Sequence, residues 1–332
     1  PGNWLFHCHF SPHVVPARAR LNAPSRDSRD RPTHDPGEHM AGLIMGITVR
    51  PAAGYREPAR RKPRRLHLFV QEGIGRGRAP RAMGAVLQRD HRLPAADSVE
   101  IPGSTLVLTR NQPTDIVVVN RLKEPTAIHW HGIELESYSD GVAGWSGGAN
   151  HLAPSIMPGD SFIARLTLRR AGTFIYHTHL NDIEQLTSGV YGGIVVLDQG
   201  RRFDRRHDHL FVIGWDGPAK RGMLPHLLIN GDSLPKTLAM DAQAAQRLRF
   251  INIGAAGLVR ISLSRDSAPV SWRRLAKDGA ELPPKQAIRG SSAFVIAAGE
   301  TYDFEFTPEP GEYRLSAEIQ EKPLWTQRVV AQ

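Results

Sequence analysis

The sequence predicts an all-β protein built from tandem β-sandwiches, and three observations support this fold class. Runs of β-branched and aromatic residues recur between turns rich in glycine, proline, asparagine and aspartate, as in "TDIVVVNRL" and "GTFIYHTHL". These runs show no long helical periodicity. A strand–turn–strand pattern occurs twice, in "PGDSFIARLTLRRAGTFIY" and in "AGETYDFEFTPEPGEYRL". This internal echo indicates a duplicated sandwich.

Length and composition fit a globular protein of about two domains. The chain has 332 residues, of which 40% are hydrophobic and 23% are charged. No apolar run approaches the ~20 residues that span a bilayer, so no membrane span is predicted. The net charge of +9 is concentrated in "REPARRKPRR" (56–65) and "GRGRAPR" (75–81). Without a nucleic-acid-binding motif beside them, these runs predict solvated linkers rather than a nucleic-acid surface.

Along the chain, the patterns divide into four predicted segments. Residues 1–51 read as the C-terminal remnant of a preceding domain, with a polar excursion at 16–38 and a closing apolar strand within 39–51. A basic linker covers 52–66, and "RLHLFVQE" is the strand that enters the next domain. We expect one sandwich over 67–200 and another over 201–332.

Four H-x-H pairs occur, whereas composition alone predicts roughly 0.7 pairs. They are His7/His9, His129/His131, His177/His179 and His207/His209. Residues i and i+2 of a strand face the same side, so each pair on a strand projects two imidazoles together. Imidazole is a ligand for copper, zinc, iron and nickel. The pair at 207/209 lies in a polar connection and is predicted not to bind metal.

The single cysteine, Cys8, lies between two histidines, and His13 follows five residues later. On an extended strand the thiol faces the side opposite to His7 and His9. We therefore expect the thiolate and His13 to ligate one metal, with the flanking imidazoles at a second site. A cysteine with two histidines in a trigonal site is typical of an electron-transfer copper.

Three motifs carry a resemblance to a known family. "HCHFSPH" (7–13), "HWHG" (129–132) and "YHTH" (176–179) resemble ligand motifs of the multicopper oxidases, laccase-like enzymes built from cupredoxin domains. The resemblance implies tandem cupredoxin-like Greek-key β-sandwiches. It makes 1–51 the remnant of a type 1 copper cupredoxin domain, 67–200 a cupredoxin domain with copper motifs, and 201–332 a cupredoxin-like domain without copper ligands.

The same resemblance implies a set of copper ligands. Cys8 and His13 would bind the type 1 copper, and His129 would bind the type 2 copper. The binuclear type 3 pair would take His7, His9, His131, His177 and His179. For the axial type 1 position Leu43, Met40 and no ligand remain alternatives, since direct spacing falls on Arg18. Asp140, in "ESYSDGVAGW", is the candidate for proton delivery, with a plain Asp-Gly turn as the alternative.

The implied activity is one-electron oxidation of phenolic, aromatic or metal substrates, coupled to four-electron reduction of dioxygen to water. The expected partners are a small-molecule reducing substrate and dioxygen, and the expected location is periplasmic or secreted. The family's H-P-x-H-x-H-G motif is not in the sequence, and the cysteine motif comes first. These departures predict a C-terminal fragment of a form with rearranged domain order. Such a fragment would be inactive alone and would associate with the missing N-terminal portion or as a homo-oligomer.

Two other functions remain open. One is a truncated, non-catalytic copper-binding cupredoxin protein. The other is a protein resembling a copper nitrite reductase, in which one histidine beside the cysteine suffices. Two histidines beside Cys8 and two further pairs favour the oxidase.

Overall fold

The computed structural model describes residues 1–9, 11–14, 42–56, 60–74, 82–90, 92–148, 151–217, 226–254 and 257–332. The excursion predicted at 16–38, the basic run at 75–81, and both Arg18 and Met40 lie outside these residues.

The described elements fall into three groups along the chain. The first group contains β1 (Gly2–His7), α1 (Ser11–Val14) and β2 (Ile44–Val49). The second contains β3 (Arg64–Gly73), β4 (Ala82–Leu87), β5 (Gly103–Thr109), β6 (Thr114–Asn120), β7 (Ile128–His131), a 3₁₀ helix (Ser137–Asp140), β8 (Gly147–Gly148), β9 (His151–Leu152), β10 (Ser161–Leu166), β11 (Gly172–Thr178), α2 (Asp182–Ser188) and β12 (Tyr191–Leu197).

The third group is made only of strands. It contains β13 (Asp208–Trp215), β14 (Leu227–Ile229), β15 (Leu238–Met240), β16 (Gln246–Asn252), β17 (Val259–Arg265), β18 (Ala268–Pro269), β19 (Ser271–Lys277), β20 (Ala280–Glu281), β21 (Arg289–Ser291), β22 (Ala293–Ile296), β23 (Thr301–Phe306), β24 (Gly311–Ile319) and β25 (Lys322–Ala331). The all-β prediction is therefore confirmed, and the helices of the described chain are short.

The first sandwich packs the sheet β10-β6-β3-β4 against the sheet β5-β12-β11-β7. Its core draws on both sheets, with Leu68 and Ile116 from one, and Trp130 and Tyr176 from the other. Each sheet contains one parallel pair, β3 with β6 and β5 with β12. Trp130 points into this core, so the residues on either side of it in β7 point to the outer face of the second sheet.

The second sandwich repeats this strand order. Its sheets contain the runs β14-β13-β16-β23 and β15-β25-β24-β17, again with one parallel pair in each. The first sheet continues through β19, β20 and β21, and the second continues through β18 and β22. The two halves of the sequence echo lie on β10 and β11 in one sandwich and on β23 and β24 in the other, which are equivalent positions. The structure therefore contains the duplication that the sequence indicates. The domain limits proposed at 51, 66 and 200 remain predictions.

The outer face of the sheet that carries β11 packs on the second sandwich. Ile175 and Tyr191 from the first sandwich form an apolar cluster with Val212, Ile251 and Ile253 from the second. This contact covers the middle of the outer face and leaves the ends of β7 and β11 beside it.

The N-terminal strands attach to the first sandwich. β1 pairs with β2 along its whole length, and Asn3 lies opposite Gly147 of β8. A hydrogen bond from Ser137 Oγ to the Asn3 carbonyl adds to this attachment. β1 thereby brings the cysteine motif to the end of the sheet where the other two metal motifs lie.

Candidate metal centre

Three strand ends position the six histidines of the first three pairs. His129 and His131 lie on β7, and His177 lies on β11 directly opposite His129 in the antiparallel register. His179 lies just past the end of β11, where its backbone N–H donates to the Ala127 carbonyl. His7 ends β1. The residues between the paired histidines face the other side, because side chains alternate along an extended chain.

One set of three histidines has the geometry of a metal site. One donor nitrogen each of His9, His131 and His177 lies within 4.8 Å of the other two. His9 Nε2 and His131 Nδ1 are 3.1 Å apart. Imidazoles at such spacing, drawn from three different strand ends, can converge on a single ion.

A second set joins the remaining members of two pairs. His7 Nε2 and His179 Nε2 are 3.3 Å apart. His129 lies beside both sets, with its ring centroid 5.4 Å from that of His177 and 5.5 Å from that of His179. The two histidines of one H-x-H pair therefore belong to different sets, a division that the sequence analysis did not predict.

Backbone carbonyls fix the orientation of three of the rings. Nδ1 of His7 donates to the Cys8 carbonyl at 3.1 Å, and Nδ1 of His177 donates to the Thr178 carbonyl at 2.6 Å. Nδ1 of His129 lies 3.0 Å from the Asp140 carbonyl. A ring that donates through Nδ1 keeps the lone pair on Nε2, which is the form that binds a metal.

The donor set fits copper. Nε2 of His177 is buried and has no hydrogen-bond partner among the described residues, so a polar atom is directed into the set without a protein partner. Such an orphan is costly unless an ion or another group satisfies it. Neutral imidazoles are ligands that copper accepts.

The rings are held neutral. Burial, followed by the neighbouring imidazole of His129, lowers the pKa of His131 and that of His179 from 6.5 to about 3. Burial likewise lowers the pKa of His9 and of His177 well below 6.5. A site that favours unprotonated rings is ready for metal, because protons and metal ions compete for the same lone pairs.

Asp140 borders the cluster. Its Oδ1 lies 3.3 Å from His129 Nδ1, and its Oδ2 accepts a 3.0 Å hydrogen bond from Ser146 Oγ. Burial alone would raise the pKa of this carboxyl, but the His129 ring and the Ser146 hydroxyl outweigh burial and hold the pKa below its usual range.

The Asp-Gly turn also has a structural reason. Gly141 has φ +81, and a Cβ at this position would collide with the Ile128 carbonyl. The turn that ends the 3₁₀ helix therefore requires glycine, and it sets Asp140 against the histidine strand β7.

The cysteine motif forms a separate pair of donors. Cys8 Sγ lies 3.4 Å from His13 Nδ1, and His13 comes from the short helix α1. The Cys8 N–H donates to the Leu43 carbonyl, and the Leu43 N–H donates to the His13 carbonyl. The backbone thus brings Leu43 to the two donors, although its side chain is 62% exposed.

The fourth histidine pair has hydrogen-bonding partners in the second sandwich. His207 lies 2.7 Å from Asp204 Oδ2 and 2.8 Å from Asp241 Oδ2, and His209 Nε2 lies 3.0 Å from Gln246 Oε1. These contacts join loops and strands of the second sandwich.

One neighbour of the cluster was missed by the sequence analysis. Gly299, in the turn before β23, lies against the His9 ring and makes a backbone hydrogen bond with the His131 ring. Nothing in the local sequence "AAGET" distinguishes this turn from an ordinary one, because the contact depends on how the two sandwiches dock.

Part of the chain is similar to known copper proteins. Residues 96–201 match the model of the multicopper oxidase family. The chain is 41% identical over 114 residues to the copper resistance protein A homolog of Pseudomonas syringae pv. tomato, which covers 34% of this chain and 18% of that protein. It is 34% identical over 88 residues to laccase-1 of Emericella nidulans, which covers 26% of this chain and 14% of that protein.

A solved structure shares the fold more widely. The crystal structure of the blue copper oxidase from Nitrosomonas europaea superposes with a TM-score of 0.63 at 20% identity, over 81% of this chain and 86% of that chain. The chain therefore shares the fold of that oxidase. The similarity to multicopper oxidases is carried by residues 96–201, which match the family model, and by the copper resistance and laccase relatives over a comparable part of the chain. The matched stretch spans less than a fifth of either curated relative.

Proposed function

We propose that this chain provides the dioxygen-reducing copper cluster and the thiolate copper site of a laccase-like multicopper oxidase. The observation that carries the proposal is the convergence of His9, His131 and His177, which come from three motifs far apart in the sequence, with donor nitrogens within 4.8 Å of one another.

In this proposal each group of residues has one role. Cys8 and His13 bind the type 1 copper, His129 binds the type 2 copper, and the type 3 pair is bound by His7, His9, His131, His177 and His179. The spacing supports a division of the type 3 ligands, with His9, His131 and His177 on one ion and His7 and His179 on the other. Copper, when bound, supplies the one-electron chemistry that oxidises a substrate and reduces dioxygen to water.

The residues of the chain supply orientation, connection and protons. Backbone carbonyls hold the rings of His7 and His177 with Nε2 directed into the cluster. Cys8 is bonded to a cluster histidine on each side, so the backbone offers a short covalent route between the thiolate and the cluster. The Asp140 carboxylate is placed to pass protons to the cluster beside His129, since dioxygen reduction to water consumes four protons.

The eight proposed ligands leave both the thiolate site and the His7/His179 set with two donors each among the described residues. Copper sites of this kind take three or more protein ligands. We therefore propose that a further segment or a second subunit completes them. A small-molecule reducing substrate, dioxygen and a periplasmic or secreted location belong to the same proposal. In the part of the chain that the structure describes, no helix has the length and apolar character to cross a membrane.

Copper binding tests the proposed ligands. We expect copper to bind to the 332-residue chain, and the His9→Ala variant to lose the copper held by its set. His207→Ala is the matched control, since that histidine is also in an H-x-H pair but binds carboxylates of the second sandwich. Copper content after gel filtration is the measurement. Equal copper in the wild type and in His9→Ala would contradict the proposed site.

The chain alone is expected not to consume dioxygen by four electrons with a phenol, because the thiolate site, the His129 site and the His7/His179 set are all short of donors. Oxygen uptake measured with an electrode would show otherwise. An in-frame H-x-x-H-x-H motif upstream of residue 1 would support a catalytic parent, whereas its absence would favour the non-catalytic copper-binding alternative. The nitrite reductase alternative is less well supported, because that function does not require the imidazoles of three separate pairs to meet in one cluster.

A further inference from the structure

A turn of the second sandwich lies directly on the histidine cluster. Residues 297–300 connect β22 to β23, and a Cβ built on Gly299 would lie 2.9, 3.0 and 3.2 Å from Cγ, Cδ2 and Nδ1 of His9. The backbone of Gly299 is also hydrogen-bonded to the His131 ring. One turn therefore touches two of the three histidines that can share a metal ion.

The equivalent turn of the first sandwich, residues 157–160, has the same construction. In each turn the backbone of an asparagine on the neighbouring strand makes two hydrogen bonds. Its carbonyl accepts from the glycine N–H, and its N–H donates to the carbonyl of the residue after the glycine. The bonds are Gly159 N to Asn120 O at 2.9 Å and Asn120 N to Asp160 O at 2.9 Å, against Gly299 N to Asn252 O at 2.7 Å and Asn252 N to Glu300 O at 3.1 Å. Both glycines have φ +84.

Only the second of these turns faces the cluster. A Cβ on Gly159 would meet no atom within 4 Å, whereas a Cβ on Gly299 would crowd the His9 ring. Gly159 is therefore required only for its backbone conformation, since φ +84 is unfavourable for other residues. Gly299 is required for the same conformation and also because a side chain there would crowd the His9 ring.

The interface between the sandwiches holds the turn in place. Asn252, which bonds Gly299, lies between Ile251 and Ile253 of the interface cluster. Thr301, two residues after Gly299, donates through Oγ1 to the Thr173 carbonyl of β11 at 3.0 Å. β11 also carries His177, so the turn and one ligand strand are tied by the same contacts.

We propose that Gly299 is a positioning residue of the metal set formed by His9, His131 and His177. The backbone of Gly299 is hydrogen-bonded to the His131 ring, and we assign this bond to Nε2 because Nδ1 of the ring faces His9 Nε2 at 3.1 Å. Its lack of a side chain leaves space for the His9 ring. The second sandwich, which supplies none of the proposed copper ligands, thereby helps to position rings of the cluster. This inference rests on the proposed function, because it deepens the same site.

Zinc binding to the metal-free 332-residue chain tests the proposal with a redox-inert probe that accepts imidazole ligands. Gly299→Ala is compared with Gly159→Ala, its match in φ and in turn construction. We expect Gly299→Ala to bind Zn²⁺ roughly 10- to 100-fold more weakly than the wild type, as when an outer contact of a metal ligand is lost. Gly159→Ala should bind as the wild type does. The melting temperatures of both variants should fall by similar amounts.

The tautomer of His131 gives a second readout that needs no metal. Long-range ¹H–¹⁵N spectra of the metal-free chain, assigned with His131→Gln, report which ring nitrogen carries the proton. We expect the proton on Nε2 in the wild type and in Gly159→Ala, with Nδ1 unprotonated. In Gly299→Ala the two nitrogens should move towards a mixed tautomer.

The outcomes separate the two proposals. Equal Zn²⁺ affinity in the two alanine variants, or a wild-type His131 protonated on Nδ1, would overturn the positioning role of Gly299. Zinc binding unchanged in His9→Ala would instead overturn the proposed metal set, and the tautomer spectra would still decide whether Gly299 orients His131.

Discussion

At the scale of single residues, the buried residue between two paired histidines determines which way the two imidazoles point. Trp130 is fully buried in the core of the first sandwich, and His129 and His131 on either side of it face the cluster. Thr178, between His177 and His179, is also buried, and its hydroxyl bonds the Leu180 carbonyl. Turning any of these strands by one residue would place the imidazoles in the core. The H-x-H spacing therefore predicts which side chains face the cluster.

Asp140 gives a prediction at this scale. In the complete oxidase, Asp140→Asn keeps the size of the side chain but removes the carboxylate beside His129. We expect reoxidation by dioxygen to slow by roughly 10- to 100-fold, while reduction by substrate is unchanged, because only dioxygen reduction takes up protons at the cluster. Stopped-flow absorption separates the two half-reactions.

The control for Asp140 is Glu134→Gln. Glu134 follows the same histidine strand, but it is exposed and pairs with Arg170 at 2.7 Å. It should change neither half-reaction. Unchanged reoxidation in Asp140→Asn would leave the residue with a turn-forming role only.

At the scale of elements, β23 shows how one strand joins the sandwiches. Asp303 and Glu305 point to the same face, two residues apart. Asp303 is buried and accepts from Thr173 Oγ1 of β11 at 2.7 Å and from Arg249 Nη1 at 2.9 Å. Glu305 pairs with Arg273 in a partly exposed position. The two carboxylates lie on the same face of one strand, but Asp303 belongs to a buried network and Glu305 to a partly exposed ion pair.

Substitution of these two carboxylates should separate their contributions. Asp303→Asn leaves the buried guanidinium of Arg249 short of one negative charge, and we expect a loss of about 3–5 kcal/mol in the free energy of unfolding. Glu305→Gln should cost about 0–1 kcal/mol, since exposed ion pairs contribute little. Urea unfolding followed by tryptophan fluorescence measures both. Similar losses in the two variants would contradict the buried network as the link between the sandwiches.

At the scale of the whole molecule, docking of three chain segments builds the cluster. β1 brings His7 and His9, β7 and β11 bring the four other histidines, and the second sandwich adds Gly299. Several imidazoles buried together favour their neutral forms, so the native state of the metal-free chain resists protonation at this place.

This resistance predicts how stability depends on pH. An unfolded histidine takes up a proton near pH 6.5, whereas folded His131 and His179 do so only at about 3. Between these values the unfolded state binds more protons, so the metal-free chain should lose stability as the pH falls from about 6.5 towards about 3. Above pH 6.5 these groups should add no pH dependence.

Urea midpoints of the chelator-treated chain at pH 7.5, 6 and 5 measure this effect. The His179→Gln variant is the comparison, because it removes one such ring and should show a shallower decline. Equal slopes in the variant and the wild type would mean that His179 is protonated as readily in the folded as in the unfolded chain.

Much of this molecule could be read from the sequence alone. Alternating apolar runs and turn residues determine an all-β duplicated sandwich, because strand periodicity and turn chemistry are local properties. The H-x-H pairs and the cysteine between two histidines predict the proposed ligands, because the side-chain period of a strand is also local.

Only the tertiary structure decided how these ligands combine. The separation of His9 from His7 and of His177 from His179 into two sets depends on which rings of different strands meet, as does the approach of Asp140 to His129. The contact of Gly299 with two of the rings depends on the docking of a whole sandwich. The contacts of His9 with His131, of His7 with His179 and of Gly299 with His9 join distant parts of the sequence, and no local pattern records them, because they are set by the packing of sheets against one another.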